Sequence, residues 1–519
     1  MAISSIFNDV IGPVMRGPSS SHSAAACRIG LLLRDLIDDD IEKVNIDYDP
    51  NGSLVTTHES QGTDMGLYGG LLGLQADDER IMDYRQGILA RGIDIKVNYL
   101  DYGAQHPNTY RLTISNQQIS HSMLAISSGG GMIEIQQIDG AELSLAGDFN
   151  QLLIYTDNFA IITKQIESTI DFDYLDVCQG DRNFILIKRE KAFSDEDVKL
   201  IANIKGIEFV RNLRSVLPVL SRKNVDVPFL YCKDLIALGE KEQLSLWQLA
   251  LRYESARGNI SEAQVLAKMC AIIDIMQQSV NTGLAGTEYQ DRILHCQSAS
   301  FDEKMSSNQL LGGELLNTIV LYVSAIMEVK SSYGVIVAAP TAGSCGALPG
   351  SLLAAGKILN KSTQEIAKAM LASAVLGIFI SEHSSFAAEV GGCQAECGAG
   401  SSMAAAGLVT LAGGNLQQCI TAASLALQNS LGMICDPIGN RVEAPCLGRN
   451  VMAASNALSC ANMALANYDP VVTYDEVVDT MYKVGCSISH ELRCTALGGL
   501  SITDSAKKIE AQLLKFKCC

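Results

Sequence analysis

Gly391-Gly392-Cys393-Gln394-Ala395-Glu396-Cys397-Gly398, and upstream of it Pro340-Thr341-Ala342-Gly343-Ser344-Cys345-Gly346, interrupt a region of unusual composition. Across 228–519 alanine, glycine, methionine and leucine dominate, strand alternation is scarce and helical spacing is frequent. Small residues at that spacing let helices approach closely, so the region is predicted to be a mostly α-helical domain with Gly-rich interruptions. Ser362-Thr363-Gln364-Glu365 is a capping box ahead of an apolar helix, 366–380. Thr473-Tyr474-Asp475-Glu476 is a second, ahead of 477–484.

The interruptions are where chemistry is expected. Glycine lets the backbone approach a bulky ligand. If 391–398 is helical, Cys393 and Cys397 lie on one face, one turn apart. Cys345 then closes a three-thiolate set from a separate loop. Three thiolates suit an iron–sulfur cluster with one iron left open, and an open iron is a Lewis acid. The competing reading is a set of small residues in a tightly packed core, where free cysteine is common. Two later interruptions are turn-forming and polar: 435–450, with Cys435, Asp436, Cys446, Arg449 and Asn450, and 490–499, with His490, Arg493 and Cys494. Arginine in such a loop can grip a carboxylate with two parallel hydrogen bonds.

Upstream, 217–227 reads as a linker and 148–220 has a different rhythm. Strands are predicted at 151–156, 175–177, 183–189 and 207–210, and helices at 160–167 and 194–204, the second opened by Ser194-Asp195-Glu196-Asp197. That is a βαββαβ pattern, the ferredoxin-like module. Residues 1–147 read as a compact α+β domain. It has strands at 44–48, 53–57, 95–100, 109–115 and 132–136, and helices at 24–36 and 65–74. Gly17-Pro18-Ser19-Ser20-Ser21-His22-Ser23 precedes its first helix, where hydroxyls cap free N–H groups and anions are favoured. The run Gly129-Gly130-Gly131 could wrap an anion or simply turn the chain. The fold class is therefore multidomain α+β, ending in a helical domain.

The chain has 519 residues, 48% hydrophobic and 18% charged, with net charge -18. That balance argues against nucleic acid or an anionic membrane as the main partner. Of sixteen cysteines, only Cys27, Cys178 and Cys232 lie in the first half. The first residues lack a basic region followed by an apolar core, and the apolar stretch 369–380 is too short to span a bilayer. A cytoplasmic protein with reduced thiols is expected. His121 and His295 read as surface residues, whereas His383 and His490 are candidates to line the site.

The stretches 17–23, 339–346 and 391–396, the Cys435-Asp436-Pro437 loop with Pro445-Cys446 and Arg449-Asn450, and Gly498-Gly499-Leu500 together resemble the iron–sulfur-dependent L-serine dehydratases. The likeness runs in order over nearly the whole chain: a β portion, an ACT-like portion and an α portion, fused here. It implies a lyase that eliminates water from L-serine. The enamine product hydrolyses to pyruvate and ammonia, a step of amino-acid catabolism that can feed gluconeogenesis. It also implies a [4Fe–4S] cluster in place of pyridoxal phosphate, a small amino-acid substrate and a homodimer.

Carried over by motif, Cys345 and Cys393 are the firmest cluster ligands and Cys397 the third, with Cys435 and Cys446 as alternatives. Ser19, Ser20, Ser21 and His22 would face the substrate, with Thr63, Asn108, Thr341 and Arg493. His22, Ser20 and His58 are the catalytic candidates. Relatives often carry histidine where this chain has Gln61, in Gln61-Gly62-Thr63-Asp64, and His58 is the nearest substitute. Some relatives also place a cysteine at the position of Ser401, for which Cys397 is the replacement. Cys519 is expected to occupy the open iron as a displaceable fourth ligand. The alternatives are cluster-dependent elimination on L-threonine or L-cysteine, or a non-enzymatic iron–sulfur sensor.

Overall fold

The computed structural model describes residues 3–38 and 40–517. The expected ligand Cys519 lies outside the described residues. The chain divides into two compact units, one of residues 3–20 and 226–519, the other of residues 21–225. A first short strand, β1 (Val14–Arg16), belongs to the larger unit.

The smaller unit contains two sheets. The first has the order β3-β2-β4-β5-β6-β7, formed by β2 (Lys43–Tyr48), β3 (Asp94–Tyr99), β4 (Thr109–Ser115), β5 (Ser120–Gly129), β6 (Met132–Ile138) and β7 (Ala141–Leu145). Only the β2–β3 pair is parallel. Helix Ala25–Leu36 buries Ile29, Leu32, Leu33 and Leu36, an i, i+3, i+4, i+7 stripe, in one core with Val44, Ile46, Leu112 and Ile135 of the sheet. Helix Thr63–Leu71 crosses it so closely that a Cβ on Gly66 would lie 2.0 Å from the Ser23 carbonyl oxygen.

The second sheet has the order β11-β8-β10-β9, built from β8 (Asn150–Tyr155), β9 (Tyr174–Cys178), β10 (Phe184–Arg189) and β11 (Phe209–Leu213), all antiparallel. Helices Phe159–Thr169 and Asp195–Ala202 complete a βαββαβ order, the second held by a Ser194–Asp197 capping box. Ile162, Ile166 and Ile201 pack on Leu152, Ile154, Ile185 and Ile187. The opposite face, with Leu153, Tyr155, Phe184 and Leu186, joins the core of the first sheet. Burial on both faces explains why β8 and β10 are near-continuous apolar runs.

In the larger unit β1 pairs with β12 (Val335–Val337), Val14 opposite Val337. The rest is helical. Helix Ala399–Leu411 is buried nearly all round, packed by helices Ala347–Ile358, Thr363–His383, Leu416–Gln428 and Cys446–Leu465. A helix apolar on every side belongs inside. Thr363–His383 is the one described helix long and apolar enough to cross a membrane, and 78% of that window is buried within the protein. Both expected capping boxes are formed, at Ser362–Glu365 and Thr473–Glu476.

The structure corrects two sequence expectations and adds two strands. Residues 54–57 form a helical turn, Leu54–Thr57, where a strand was expected. β5 and β7 were not anticipated. The glycine run closes the β5–β6 hairpin, and the Gly131 carbonyl accepts from Arg28 Nη1 at 2.5 Å. His121 is not a surface residue: it is buried in β5, its Nδ1 2.7 Å from Asp139, beside the Tyr155 and Phe209 rings. The cost of burying an imidazole is offset by that carboxylate partner.

Candidate active site

In the larger unit the cysteine stretches are held by short irregular turns. Thr341 caps a 3₁₀ turn, Ala342–Ser344, that leads through Cys345 into helix Ala347–Ile358. Cys393 opens a wide turn, Gln394–Gly398, in which the Cys397 amide donates to the Cys393 carbonyl at 2.8 Å. Cys435 is paired with the Cys494 segment: the Cys435 amide donates to Leu492 O and the Cys494 amide to Cys435 O, both at 2.8 Å. Cys446 begins helix Cys446–Leu465.

These segments bring five thiols together. Cys393, Cys397 and Cys435 share one buried cluster with Ala347, Ala388 and Ala453, flanked by Cys494. Cys397 is hydrogen-bonded to Cys393 and Cys435 to Cys494, and Cys446 faces Cys393. The bond to Cys393, and then burial, pushes the Cys397 thiol well up; the bond to Cys494, and then burial, does the same for Cys435. Burial raises Cys446 to about 12. A group binding here as a cation must displace these protons. Cys345 is also buried and raised to about 12 by burial, but its Sγ lies 3.9 Å from Met327 Sδ.

Asn450, fully buried, ties the site together. Its Oδ1 accepts from the Gly346 and Ala347 amides, each at 3.1 Å. Its Nδ2 donates to Gly343 O at 2.8 Å, to Cys446 O at 2.9 Å and towards Cys397 Sγ at 3.6 Å. Glu396 accepts from Thr341 Oγ1 at 2.6 Å, and burial raises it to about 7. A Cβ on Gly343 would lie 2.6 Å from its Oε1, so only glycine lets this carboxylate sit against the turn. Asp436 accepts from Arg449 Nη2 at 2.5 Å and from the Leu500 amide at 2.7 Å. Arg449 also faces Cys393 and Cys446.

The expected substrate residues fall in both units. In the larger one, Ser20 Oγ accepts from the Ala342 amide at 3.2 Å, and Ser19 is buried. Arg493 donates from Nη1 to Val390 O at 3.3 Å, while its buried Nε has no hydrogen-bond partner. In the smaller one, His22 has Nε2 3.0 Å from Thr57 Oγ1 and Nδ1 3.2 Å from Ser21 Oγ. His58 has Nδ1 2.8 Å from Asp64 and Nε2 2.9 Å from the Tyr99 hydroxyl. Asn108 Oδ1 accepts from Ser53 Oγ. The Thr63 hydroxyl and Gln61 Nε2 are buried without a partner. His383 is engaged elsewhere: its Nε2 donates to Leu230 O at 2.8 Å and its ring stacks on Tyr231. His490 and His295 are exposed.

Residues 241–501 match the family model described as serine dehydratase alpha chain. The chain belongs to the serine dehydratase alpha-chain family. The probable L-serine dehydratase alpha chain of Bacillus subtilis is 33% identical over 285 residues, 55% of this chain and 95% of the relative. The L-serine dehydratase alpha chain of Peptoniphilus asaccharolyticus is 36% identical, covering 54% of this chain and 97% of the relative. The L-serine dehydratase of Helicobacter pylori is 33% identical, over 54% of this chain and 63% of that relative.

The match spans the segments that gather the thiols. Within the serine dehydratase alpha region, the sequence alone assigns no role to Glu396 and names Asn450 only as part of the polar loop. Glu396 is a lone acid in a Gly/Ala/Cys run and Asn450 follows an arginine in the polar loop; those were the available signals.

Proposed function

We propose that this chain is an L-serine dehydratase, eliminating water from L-serine to give pyruvate and ammonia at a [4Fe–4S] cluster held by the thiol group. The family membership carries the reaction, and the five converging thiols carry the cofactor. Among the described residues no three His, Cys, Asp or Glu side chains converge closely enough to hold a single metal ion. A cube spreads its ligands wider than one ion does, and an all-thiol donor set suits it. Two sulfurs in hydrogen-bond contact are closer than ligands on different irons. One ligand is therefore taken from Cys393/Cys397 and one from Cys435/Cys494, with Cys446 as the third. Cys393, whose charge would act on each of the other four thiols, and Cys435 complete the favoured set. Cys345, engaged with Met327, is left out.

When bound, such a cluster supplies a Lewis acid for the departing hydroxyl. The chain's own residues do the rest. Glu396, poised near neutrality and fixed by Thr341, is the group suited to hold and release a proton at pH 7. Arg493 Nε, buried and unpartnered, is the donor suited to a substrate carboxylate. His22, His58, Ser20, Ser21, Thr63 and Asn108 remain proposed substrate-side residues. Each ring nitrogen of His22 and His58 has a partner, so both imidazoles are held in fixed orientation. The βαββαβ segment is proposed as an ACT-like module. Its edge strand β9 exposes Tyr174 and Val177, which supports pairing in a homodimer. The protein is proposed to be cytoplasmic, where thiols stay reduced.

The test is iron and sulfide content and serine turnover after anaerobic reconstitution. Cys393→Ser, Cys435→Ser and Cys446→Ser are each expected to lose both, while Cys345→Ser keeps them. A cluster that survives Cys435→Ser and Cys446→Ser, but not Cys345→Ser, overturns the ligand set.

A further inference from the structure

Lys330 lies in the last turn of helix Glu314–Ser331, and none of its surface is exposed. Its Nζ is buried with no hydrogen-bond partner. A lone amine in a protein interior is costly unless something compensates it. The surroundings show what is within its field. Met327, one turn earlier on the same helix, touches Cys345 Sγ at 3.9 Å. The helix packs against both Ala347–Ile358 and Cys446–Leu465, the two helices that start at the cysteine turns. Cys345, Cys446 and Glu396 lie within reach of its charge, which opposes the effect of burial on all three. Of the nearby arginines, Arg449 already pairs with Asp436 and Arg493 donates to Val390 O.

We propose that Lys330 is the built-in counter-charge of the sulfur pocket, a positioning residue for an anionic iron–sulfur group rather than a substrate ligand. The inference rests on the cluster reading above. Three thiolates outweigh the charge of an oxidised cube, and reduction adds one more electron. A fixed cation without a partner of its own is compensated by that arriving charge. Its effect is largest on the reduced state, because a buried charge acts through a low-dielectric medium. Lys330 therefore sets how readily the cluster accepts an electron and how firmly the pocket keeps it.

The experiment is an EPR-monitored redox titration of the reconstituted full chain, with the rate of iron loss to a chelator followed in parallel. Lys330→Met keeps the length of the stem and removes the charge; Lys330→Arg keeps the charge. Lys330→Met is expected to lower the midpoint potential by at least the equivalent of tenfold in the one-electron equilibrium, 59 mV, and to speed iron loss. Lys330→Arg is expected to return both towards wild type. If Lys330→Met loses the cluster entirely while Lys330→Arg keeps it, charge is required and the inference stands. If both lose it, shape is at work and the inference falls. It falls too if Lys330→Met raises the KM for L-serine with the potential unmoved, since the amine would then be a substrate anchor. A wild-type cluster indifferent to Lys330→Met overturns this inference alone. A wild-type chain that takes up no iron and sulfide overturns the cluster reading with it.

Discussion

Asn450→Ala is the substitution whose cost follows most directly from the site's construction. The side chain makes four hydrogen bonds of 2.8 to 3.1 Å: two accepted from the Gly346 and Ala347 amides, two donated to the Gly343 and Cys446 carbonyls. The two amides belong to the first turn of helix Ala347–Ile358, where backbone donors have no intrahelical partner. All four groups are left buried when the amide is removed. At about 1 kcal/mol net for each, and more where water cannot enter, the loss is about 4 kcal/mol. Asn450→Asp keeps the acceptor but sets a carboxylate against two carbonyl oxygens, and should cost at least as much. Trp247 is the chain's one tryptophan and lies in the larger unit, so its fluorescence during urea unfolding of the metal-free protein reports that unit. The expected result is a lower midpoint at unchanged slope, equivalent to about 4 kcal/mol. A loss below about 1 kcal/mol would show that the turns carrying Cys345 and Cys446 are held by something else, and would refute the reasoning.

Three other outcomes are expected. Burial lifts Asp9 from 3.8 to about 7, so the folded chain keeps a proton that the unfolded chain releases. That contribution is complete below about pH 4 and lost as pH rises through 7. It is worth about 2–4 kcal/mol with partial exposure allowed for, and Asp9→Asn should flatten the pH dependence of unfolding midpoints. Glu396→Gln keeps the Thr341 contact but cannot exchange a proton; kcat should fall about 10²–10⁴-fold and any pH–rate limb near 7 should vanish, whereas a retained limb assigns it elsewhere. Gly66→Ala drives a methyl to 2.0 Å from Ser23 O and should destabilise the smaller unit by about 1–3 kcal/mol, read by near-ultraviolet circular dichroism during unfolding.

Local chemistry was readable where it was local. The Ser194, Ser362 and Thr473 boxes are each written within four residues, and each opens a helix. Leu54-Val55-Thr56-Thr57 was misread because β-branched residues favour strands only as a weak prior; here they form a turn in which Thr57 Oγ1 back-bonds to Ser53 O at 2.7 Å. β5 escaped notice because His121, Ser122 and Ser127 break up its apolar pattern, and the Asp139 that makes a buried His121 tolerable comes from the end of the next hairpin. The site follows the same rule. Both cysteine stretches were visible as interruptions of helical spacing. That Cys435 meets Cys494 depends on a bridge between Cys435 and Arg493, and that Lys330 is buried depends on the helices that pack against its own. Neither fact is encoded within one window of sequence.

The most direct measurement of the central claim is the product stoichiometry of the anaerobically reconstituted chain with L-serine. Pyruvate and ammonia should appear in equal amounts, with no pyridoxal phosphate added, and should stop when iron is chelated. Turnover that survives complete removal of iron, or no pyruvate from a protein carrying a full complement of iron and sulfide, would contradict it.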